Sequence, residues 1–218
     1  MTAEILAGLG KAIADYDAAA AADWARRSVE AGVDPVAAFD VMTAVISDIG
    51  DKFEAGECWL PDLIAAADAM QAAKPILQER IAMTGGHRET LGTVVAGTVH
   101  GDIHSIGIEM VCTLLTAAGF DVHYLGIDVS PEVFIEAVRD READILGMSA
   151  LLTVTAAEQE KVVKGLADAG LRSRVKVMVG GGAITDDFAV KIGADGYAPA
   201  APGAVELAKR FVGAAREE

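Results

Sequence analysis

From residue 91 onward, apolar runs alternate with amphipathic runs, and this alternation constrains the fold more than any other feature of the chain. The runs 144–149 and 175–179 are apolar at most positions, which is typical of strands buried on both faces of a parallel sheet. The alternation predicts strands at 91–99, 121–126, 144–149, 175–179 and 195–198, with helices at 106–118, 131–140, 155–169, 185–192 and 203–214. Five strands in this arrangement predict an α/β fold, a doubly wound parallel sheet of the flavodoxin or Rossmann-like type.

The first 84 residues carry helix signals and no strand-like run. Asp34 and Pro35 supply an N-cap and a first-turn proline for one helix. This helix then has a single apolar face formed by Met42, Val45, Ile46, Ile49 and Phe53. Pro75 is expected to kink or divide the last helix of this region. Four helices joined by short turns predict an N-terminal four-helix bundle of the up-down type.

A polar, glycine-bearing stretch lies between the two patterns and is the best domain boundary in the chain. We therefore predict a helical-bundle domain at 1–84, a linker at 85–90 and a Rossmann-like domain at 91–218. The length of 218 residues allows each domain to bury a core.

Composition excludes several classes of function. Lysine and arginine total 18 against 33 aspartate and glutamate residues, so the formal net charge of −15 opposes binding to nucleic acid. No apolar run is long enough to cross a bilayer, and the N-terminus lacks the pattern of a targeting segment. A cytoplasmic protein without a membrane partner is expected. Cys58 and Cys112 are interpreted as buried thiols.

Three loops that follow predicted strands carry unusual residues. The first contains Asp102-x-His104-x-x-Gly107, the second Ser149-Ala-Leu151, and the third Gly180-Gly-Gly182. Because the carboxyl ends of parallel strands meet at one edge of a sheet, these loops are expected to be neighbours in space. A carboxylate close to a histidine is also the arrangement that fixes metal-binding imidazoles.

Each of these signals is weak by itself. An isolated Asp-x-His is more often a surface pair than a metal site, and a strand-end serine or a glycine pair usually has a structural role. No G-x-G-x-x-G follows the first strand and no P-loop lysine is present, which argues against binding of dinucleotides or nucleoside triphosphates. Structural roles are favoured for His100 and His123.

Taken together, the three loops closely resemble the cobalamin-binding domain of methionine synthase and of base-off B12 mutases. The segment Phe53-Glu-Ala-Gly-Glu-Cys-Trp-Leu-Pro-Asp62 looks like the helical cap domain of the methyl-transferring members, not of the mutases. The resemblance covers nearly the whole chain. It is strongest to the corrinoid (B12)-binding methyl-carrier proteins of methylamine and methanol methyltransferase systems.

The resemblance implies a set of cofactor-binding residues. His104 matches the histidine that replaces the cofactor's benzimidazole as lower axial ligand of cobalt, Asp102 the carboxylate that accepts the other ring N–H, and Ser149 a hydroxyl that bonds this carboxylate. The residues implied around the cofactor and its nucleotide tail are Ile103, Ser105, Ile106, Gly107, Leu151, Thr153, Gly180, Gly181, Tyr197 and Ala198. Those implied over the upper face of the corrin are Phe53, Leu60, Leu63 and Ile64. Trp59, where many relatives carry phenylalanine, either stacks on the corrin or fills the bundle.

The implied function is a methyl relay on cobalamin, with cobalt cycling between cob(I)alamin and methylcobalamin, or on a related corrinoid. The implied partners are a substrate-specific methyltransferase, a second methyltransferase that passes the methyl group to a thiol or tetrahydrofolate, and a reductive activase. The chain is expected to be a carrier subunit without catalytic residues of its own, although its status as an enzyme stays open. The alternatives are a B12-dependent sensory module and a flavin-binding or phospho-receiver protein. The methyl donor (methylamines, betaine, methanol or an aromatic methyl ether), the acceptor and the oligomeric state are not specified by the sequence.

Overall fold

The computed structural model describes residues 1–84 and 90–215, and these fall into two compact units. The first unit contains residues 1–84 with 116–119, and the second contains the remaining described residues. The predicted linker at 85–90 lies outside the described residues except for Thr90. The exact domain limits therefore stay a prediction.

The first unit is a helical bundle. Its helices are α1 (Thr2–Ala14), α2 (Ala18–Glu30), α3 (Pro35–Glu54) and α4 (Leu60–Thr84). The N-cap expected at Asp34 is confirmed, since its carboxylate accepts a 3.0 Å hydrogen bond from the backbone N–H of Val36. Of the predicted apolar face of α3, Met42, Ile46 and Ile49 are buried, and Val45 and Phe53 are half-buried.

Pro75 does not divide α4, which continues from Leu60 to Thr84. A proline inside a helix removes one backbone hydrogen bond and crowds the preceding turn, so tertiary contacts must hold the helix together. Those contacts come from α2 and α3, which both pack against α4. Packing therefore outweighs the local preference of the proline.

The second unit contains a parallel sheet. Its strands are β1 (Thr93–Thr98), β2 (Asp121–Tyr124), β3 (Ile145–Ser149), β4 (Lys176–Gly180) and β5 (Gly196–Tyr197). They lie in the order β2-β1-β3-β4-β5, and each adjacent pair is parallel. This order confirms the predicted flavodoxin-like sheet. It places the reversal of strand order between β1 and β3, where open α/β sheets bind ligands.

The connecting helices also agree with the predicted alternation. They are α5 (Ile106–Ala117), α6 (Pro131–Asp140), α7 (Thr153–Asp168), α8 (Asp186–Ile192) and α9 (Ala201–Ala215). Val95, Leu146 and Val177 from the three central strands are fully buried, which accounts for the near-continuous apolar runs. Within residues 1–84 and 90–215, no helix is both long and apolar enough to cross a membrane.

The strand register brings the three unusual loops together. Thr98 at the end of β1 pairs with Ser149 at the end of β3, and Ser149 pairs with Gly180 at the end of β4. The loops that follow these residues therefore start side by side at one edge of the sheet. The sequence-based expectation that they are neighbours in space is confirmed.

Candidate functional site

The first loop of the site begins with a tight turn directly after β1. The backbone N–H of Asp102 donates a 3.1 Å hydrogen bond to the carbonyl oxygen of Val99. Gly101 has a φ of 77°, a left-handed conformation that glycine adopts easily at the third position of such a turn. The turn directs the chain away from the strand, and α5 begins at Ile106.

Asp102 and His104 form a close pair within this loop. Nδ1 of His104 lies 2.7 Å from Oδ1 of Asp102, and the same oxygen accepts a 3.0 Å hydrogen bond from the backbone N–H of His104. The Asp102 side chain is completely buried, whereas the His104 side chain is 46% exposed. In the described part of the chain, Nε2 of His104 has no hydrogen-bond partner. Asp102 therefore holds Nδ1 of His104 and leaves Nε2 at the surface of the site.

The second carboxylate oxygen of Asp102 is held by the loop after β3. Oδ2 accepts hydrogen bonds of 2.7 Å from the backbone N–H of Leu151 and of 2.7 Å from the hydroxyl of Thr155. Burial raises the pKa of Asp102, but the hydrogen bonds from Thr155, His104 and Leu151 outweigh it and lower this pKa well below its usual value. Asp102 is thus ionised at neutral pH. Because an ionised carboxylate only accepts hydrogen bonds, Nδ1 of His104 carries the proton.

The hydroxyl bound to Asp102 was assigned to the wrong residue by the resemblance. Thr155 donates this hydrogen bond, and Ser149 is not among the donors to the carboxylate. The reason is geometric: the Asp102 side chain lies against the start of α7, beyond the end of β3. Ser149 instead lines the cavity described below.

Thr155 could have been found from helical periodicity. Thr155, Gln159 and Val162 follow the i, i+4, i+7 spacing of one buried face of α7, while Thr153 falls on the exposed side. The Gln159 side chain was also missed. It is fully buried, and its Nε2 donates to the carbonyl oxygens of Met148 at 3.2 Å and Gly180 at 3.3 Å. It thereby joins the ends of β3 and β4 beneath the site.

A cavity of about 790 Å³ opens beside His104 at the carboxyl ends of β1, β3 and β4. This volume is in the range of small-molecule and cofactor sites. Its lining includes, among the sequence-predicted residues, Ile103, His104, Ser105, Ile106, Gly107, Ser149, Leu151, Gly180, Gly181, Tyr197 and Ala198. Residues that were not predicted also line it, chiefly Ile108, Val111, Met178, Pro199, Ala201 and Ala204. The structure thus brings most of the predicted set to one cavity.

Close backbone approach explains the glycines on the far wall of this cavity. A Cβ atom at Gly181 would lie 2.1 Å from the carbonyl oxygen of Ala150, and the φ of Gly181 is +111°. A Cβ atom at Gly180 would lie 2.9 Å from the carbonyl oxygen of Ala198. In contrast, a Cβ atom at Gly107 would meet nothing within 4 Å. Gly180 and Gly181 are therefore required by the fold itself, while Gly107 opens space in the cavity wall.

Some predicted site residues do not line the cavity. Thr153 is exposed at the first position of α7 and is absent from the cavity wall. In the helical unit, Leu63 is fully buried, Phe53 and Leu60 are half-buried, and Ile64 is exposed. Their predicted contact with a corrin stays a prediction. Trp59 is 79% exposed, so it does not fill the bundle.

His100 and His123 have acidic partners away from the cavity. Nδ1 of His100 lies 2.8 Å from Oδ1 of Asp128, and Nε2 of His123 lies 3.1 Å from Oδ2 of Asp121. Neither histidine lines the cavity. These contacts agree with the structural roles that the sequence favours for both residues.

Comparison with protein families identifies two matching regions. Residues 92–206 match a B12 binding domain family, and residues 5–78 match a second family with the same description. The chain is 41% identical over 207 residues to trimethylamine corrinoid protein 1 of Methanosarcina mazei, which covers 94% of this chain and 96% of that protein. It is 44% identical over 171 residues to the dimethylamine corrinoid protein of Methanosarcina barkeri, covering 78% of this chain and 80% of the relative.

Solved structures give the same result. The methanol:cobalamin methyltransferase complex MtaBC from Methanosarcina barkeri matches with a TM-score of 0.80 and 29% identity, covering 96% of this chain and 80% of that chain. The monomethylamine corrinoid protein of the same organism matches with a TM-score of 0.53 and 30% identity, covering 96% and 99% of the two chains. The arrangement of a helical part and a parallel sheet is thus shared with these structures.

Proposed function

Because the chain belongs to the B12-binding corrinoid proteins, we propose that it carries a methyl group on cobalamin between two methyltransferases, with His104 as the lower axial ligand of cobalt. The observation that carries this proposal is the Asp102–His104 pair, 2.7 Å apart, at the edge of the cavity. Cobalamin supplies a cobalt centre that accepts and donates methyl groups.

The contacts of Asp102 prepare His104 for this role. A histidine binds a metal through an unprotonated ring nitrogen, and a carboxylate bound to the other nitrogen fixes the tautomer and the ring orientation. Asp102 fixes Nδ1 in this way. Nε2 would then be the nitrogen that binds cobalt. Thr155 and Leu151 hold the carboxylate in turn, so the imidazole is oriented by a chain of hydrogen bonds that ends on α7.

The cavity beside His104 would hold the nucleotide tail of the cofactor. Gly107 leaves open space in its wall, and Gly180 and Gly181 remove side chains from the opposite wall. Tyr197 and Ala198 close the end near β5. An elongated organic group therefore has room between α5 and the carboxyl ends of β3 and β4. Thr153 is not assigned to this channel.

The upper face of the corrin is assigned to the helical unit. Phe53, Leu60 and Ile64 keep exposed apolar surface, and Trp59 is almost fully exposed. Leu63 is buried, so its contact with the corrin would require a rearrangement of its surroundings. Among these residues we therefore assign the strongest contacts to Phe53, Trp59 and Ile64.

The methyl donor is assigned to methylated amines because the chain is 41% and 44% identical to a trimethylamine and a dimethylamine corrinoid protein. Donor recognition and catalysis belong to a separate methyltransferase, since the described lining of the cavity offers no paired acid, base and nucleophile. A second methyltransferase with a thiol or tetrahydrofolate acceptor, and a reductive activase, complete the proposed cycle.

The ligand assignment is tested by loading the protein with hydroxocobalamin and reducing it to Co(II). The electron paramagnetic resonance spectrum of the wild type should show coupling to one protein nitrogen, and His104→Ala should lose it. His123→Ala is the matched control, because it removes an imidazole that is bound to an aspartate but lies away from the cavity. Retention of the nitrogen coupling in His104→Ala would contradict the assignment.

The carrier function is tested by supplying the loaded, reduced protein with mono-, di- and trimethylamine, methanol and an aromatic methyl ether in an extract of the source cell. Methylation of cobalt, followed by its visible spectrum, is expected with an amine and not with the other donors. Methylation by methanol alone would contradict the amine assignment. Failure of every donor, together with a light-dependent change of oligomeric state, would favour a sensory module.

A further inference from the structure

A second aspartate, Asp128, holds the loop that carries Asp102 and His104. Its carboxylate Oδ1 accepts a 2.7 Å hydrogen bond from the backbone N–H of Gly101. Its own backbone N–H donates a 3.0 Å hydrogen bond to the carbonyl oxygen of Asp102. One residue thus binds the main chain on both sides of the peptide that joins Gly101 to Asp102.

Asp128 is itself firmly placed. It lies between β2 and α6, in a segment that runs beside the end of β1. Thr98 donates its backbone N–H to Gly126 at 3.0 Å, and Val129 donates to Thr98 at 3.0 Å. These bonds continue the parallel pairing past the last residue of β2. The segment is therefore a rigid support for Asp128.

The backbone of Asp128 is in an uncommon conformation. Its φ of 53° lies in the left-handed region, which costs free energy for a residue other than glycine but is tolerated best by aspartate and asparagine. This conformation allows the carboxylate and the N–H of the same residue to reach the same neighbouring loop. The hydrogen bond from Gly101, aided by the nearby His100, lowers the pKa of Asp128 below its usual value.

The two aspartates hold different parts of the same loop. Leu151 and Thr155 bind the side chain of Asp102, whereas Asp128 binds its main chain. Residues 99–105 belong to no helix or strand, so their position depends on these bonds. The bonds from Asp128 add to the turn that Gly101 makes, to the 3.1 Å bond from the backbone N–H of Val99 to Ser149, and to the 3.4 Å bond from the Thr98 hydroxyl to the carbonyl oxygen of His104.

We propose that Asp128 is a positioning residue for the axial imidazole, acting through Gly101 and Asp102 on His104. This inference rests on the proposed ligation of cobalt by His104. The contact between Asp128 and His100 has a minor part in this role. The side chains are 54% and 59% exposed, and exposed ion pairs contribute little. The positioning effect is assigned to the hydrogen bonds that join Asp128 to the backbone of Gly101 and Asp102.

The proposal is tested with Asp128→Gly, which removes the carboxylate and relieves the left-handed backbone. In the Co(II)-loaded protein, the ratio of imidazole-bound to imidazole-free cobalt should fall by about tenfold, the lower end of the effects that outer partners of metal ligands have. Asp128→Asn should keep nearly the wild-type ratio, because its amide oxygen still accepts the hydrogen bond from Gly101. His100→Gln should also stay close to the wild type.

Asp168→Asn is the matched control, because it removes one negative charge from an exposed position at the end of α7. It should leave the ratio unchanged. An unchanged ratio in Asp128→Gly, with nitrogen coupling still lost in His104→Ala, would overturn the positioning role and leave the proposed function intact. If His104→Ala kept the coupling, the ligand assignment itself would fail.

A second measurement uses the apo protein and does not depend on ligation. The ring N–H of His104 that is bound to Asp102 should exchange slowly with water in the wild type and in Asp128→Asn, and faster in Asp128→Gly. Equal exchange in all three would overturn the proposal. If circular dichroism shows that Asp128→Gly does not fold, Asp128→Ala takes its place in both measurements.

Discussion

Asp102 receives four hydrogen bonds, from the backbone and ring of His104, from Leu151 and from Thr155. A buried carboxylate without such partners would take up a proton, because burial disfavours its charged form. Here the donors reverse that tendency and keep the group ionised. The charge of Asp102, and with it the tautomer of His104, is therefore set jointly by His104 and by Leu151 and Thr155, which are far away in sequence.

We expect Thr155→Val to destabilise the protein by about 1.5–3 kcal/mol at pH 7, because a hydrogen bond to an ionised group is lost without a change in side-chain shape. Urea unfolding of the apo protein measures this difference. Thr155→Ser keeps the hydroxyl and is the matched control. A Thr155→Val variant as stable as the wild type would mean that the hydroxyl is not needed to hold the carboxylate.

The destabilisation by Thr155→Val should depend on pH. The pKa of Asp102 is lowered in the folded protein, so its contribution to stability is present above the unfolded pKa of about 3.9 and is lost as pH falls toward the folded pKa. Thr155→Val raises the folded pKa. Because the unfolded state is common to both proteins, the difference from the wild type should be complete at neutral pH and shrink once the pH falls below the folded pKa of the variant.

The sequence pointed to the Asp102–His104 pair but not to Thr155 and Asp128, which hold it in place. The spacing Asp102-x-His104 is local, and one loop is enough to bring the two side chains together. Thr155 and Asp128 reach the same loop only after α7 and the β2–α6 segment have packed beside it. Ser149 was a reasonable candidate because it ends β3, but the carboxylate lies past the end of that strand.

Among the elements of the fold, the turn after β4 is constrained most tightly. Gly181 lies against the backbone of Ala150, just after β3, and Gly180 lies against the backbone of Ala198, just after β5. The sequence of β4 by itself does not require glycine at its end. The requirement arises because adjacent parallel strands end at the same level, so the loops that follow them pass close to one another.

We expect Gly181→Ala to destabilise the second unit by at least about 2 kcal/mol, since it adds a methyl group against a carbonyl oxygen and leaves a non-glycine residue at positive φ. Gly203→Ala in α9 is the control, because a Cβ atom there meets nothing within 4 Å. It should be neutral or stabilise the protein by up to about 1 kcal/mol. Both are measured by urea unfolding, and equal effects would show that the close approach at Gly181 relaxes without cost.

Helix α4 shows how far element boundaries depend on packing. The local rule for proline predicts a kink or a break at Pro75; the helix is not broken there and packs against α2 and α3. In α3 the local signals and the packing agree, and the predicted cap and buried face are both present. Local rules are reliable where the signals at the helix ends and the apolar periodicity agree.

Over the whole molecule, the net charge of −15 is the dominant long-range feature. Repulsion among so many carboxylates opposes the compact state, and salt screens it. We expect the urea midpoint at pH 7.5 to rise as sodium chloride is increased from 10 mM to 300 mM. The effect should shrink near the sequence pI of about 4.6, where the net charge vanishes. A midpoint that falls with salt at pH 7.5 would mean that the surface ion pairs outweigh the repulsion.

The sequence by itself determined the order of helices and strands, the parallel sheet and the identity of the Asp102–His104 pair. The order of elements and the sheet depend on the spacing of apolar residues, which a single sequence displays directly. The Asp102–His104 pair was singled out by the resemblance of its loop to those of cobalamin-binding domains. Tertiary structure alone decided which hydroxyl holds Asp102, why Gly181 must be glycine and how Asp128 binds the loop from a separate segment. Such contacts join residues that are distant in sequence, and they exist only once the register of the sheet has aligned the strand ends.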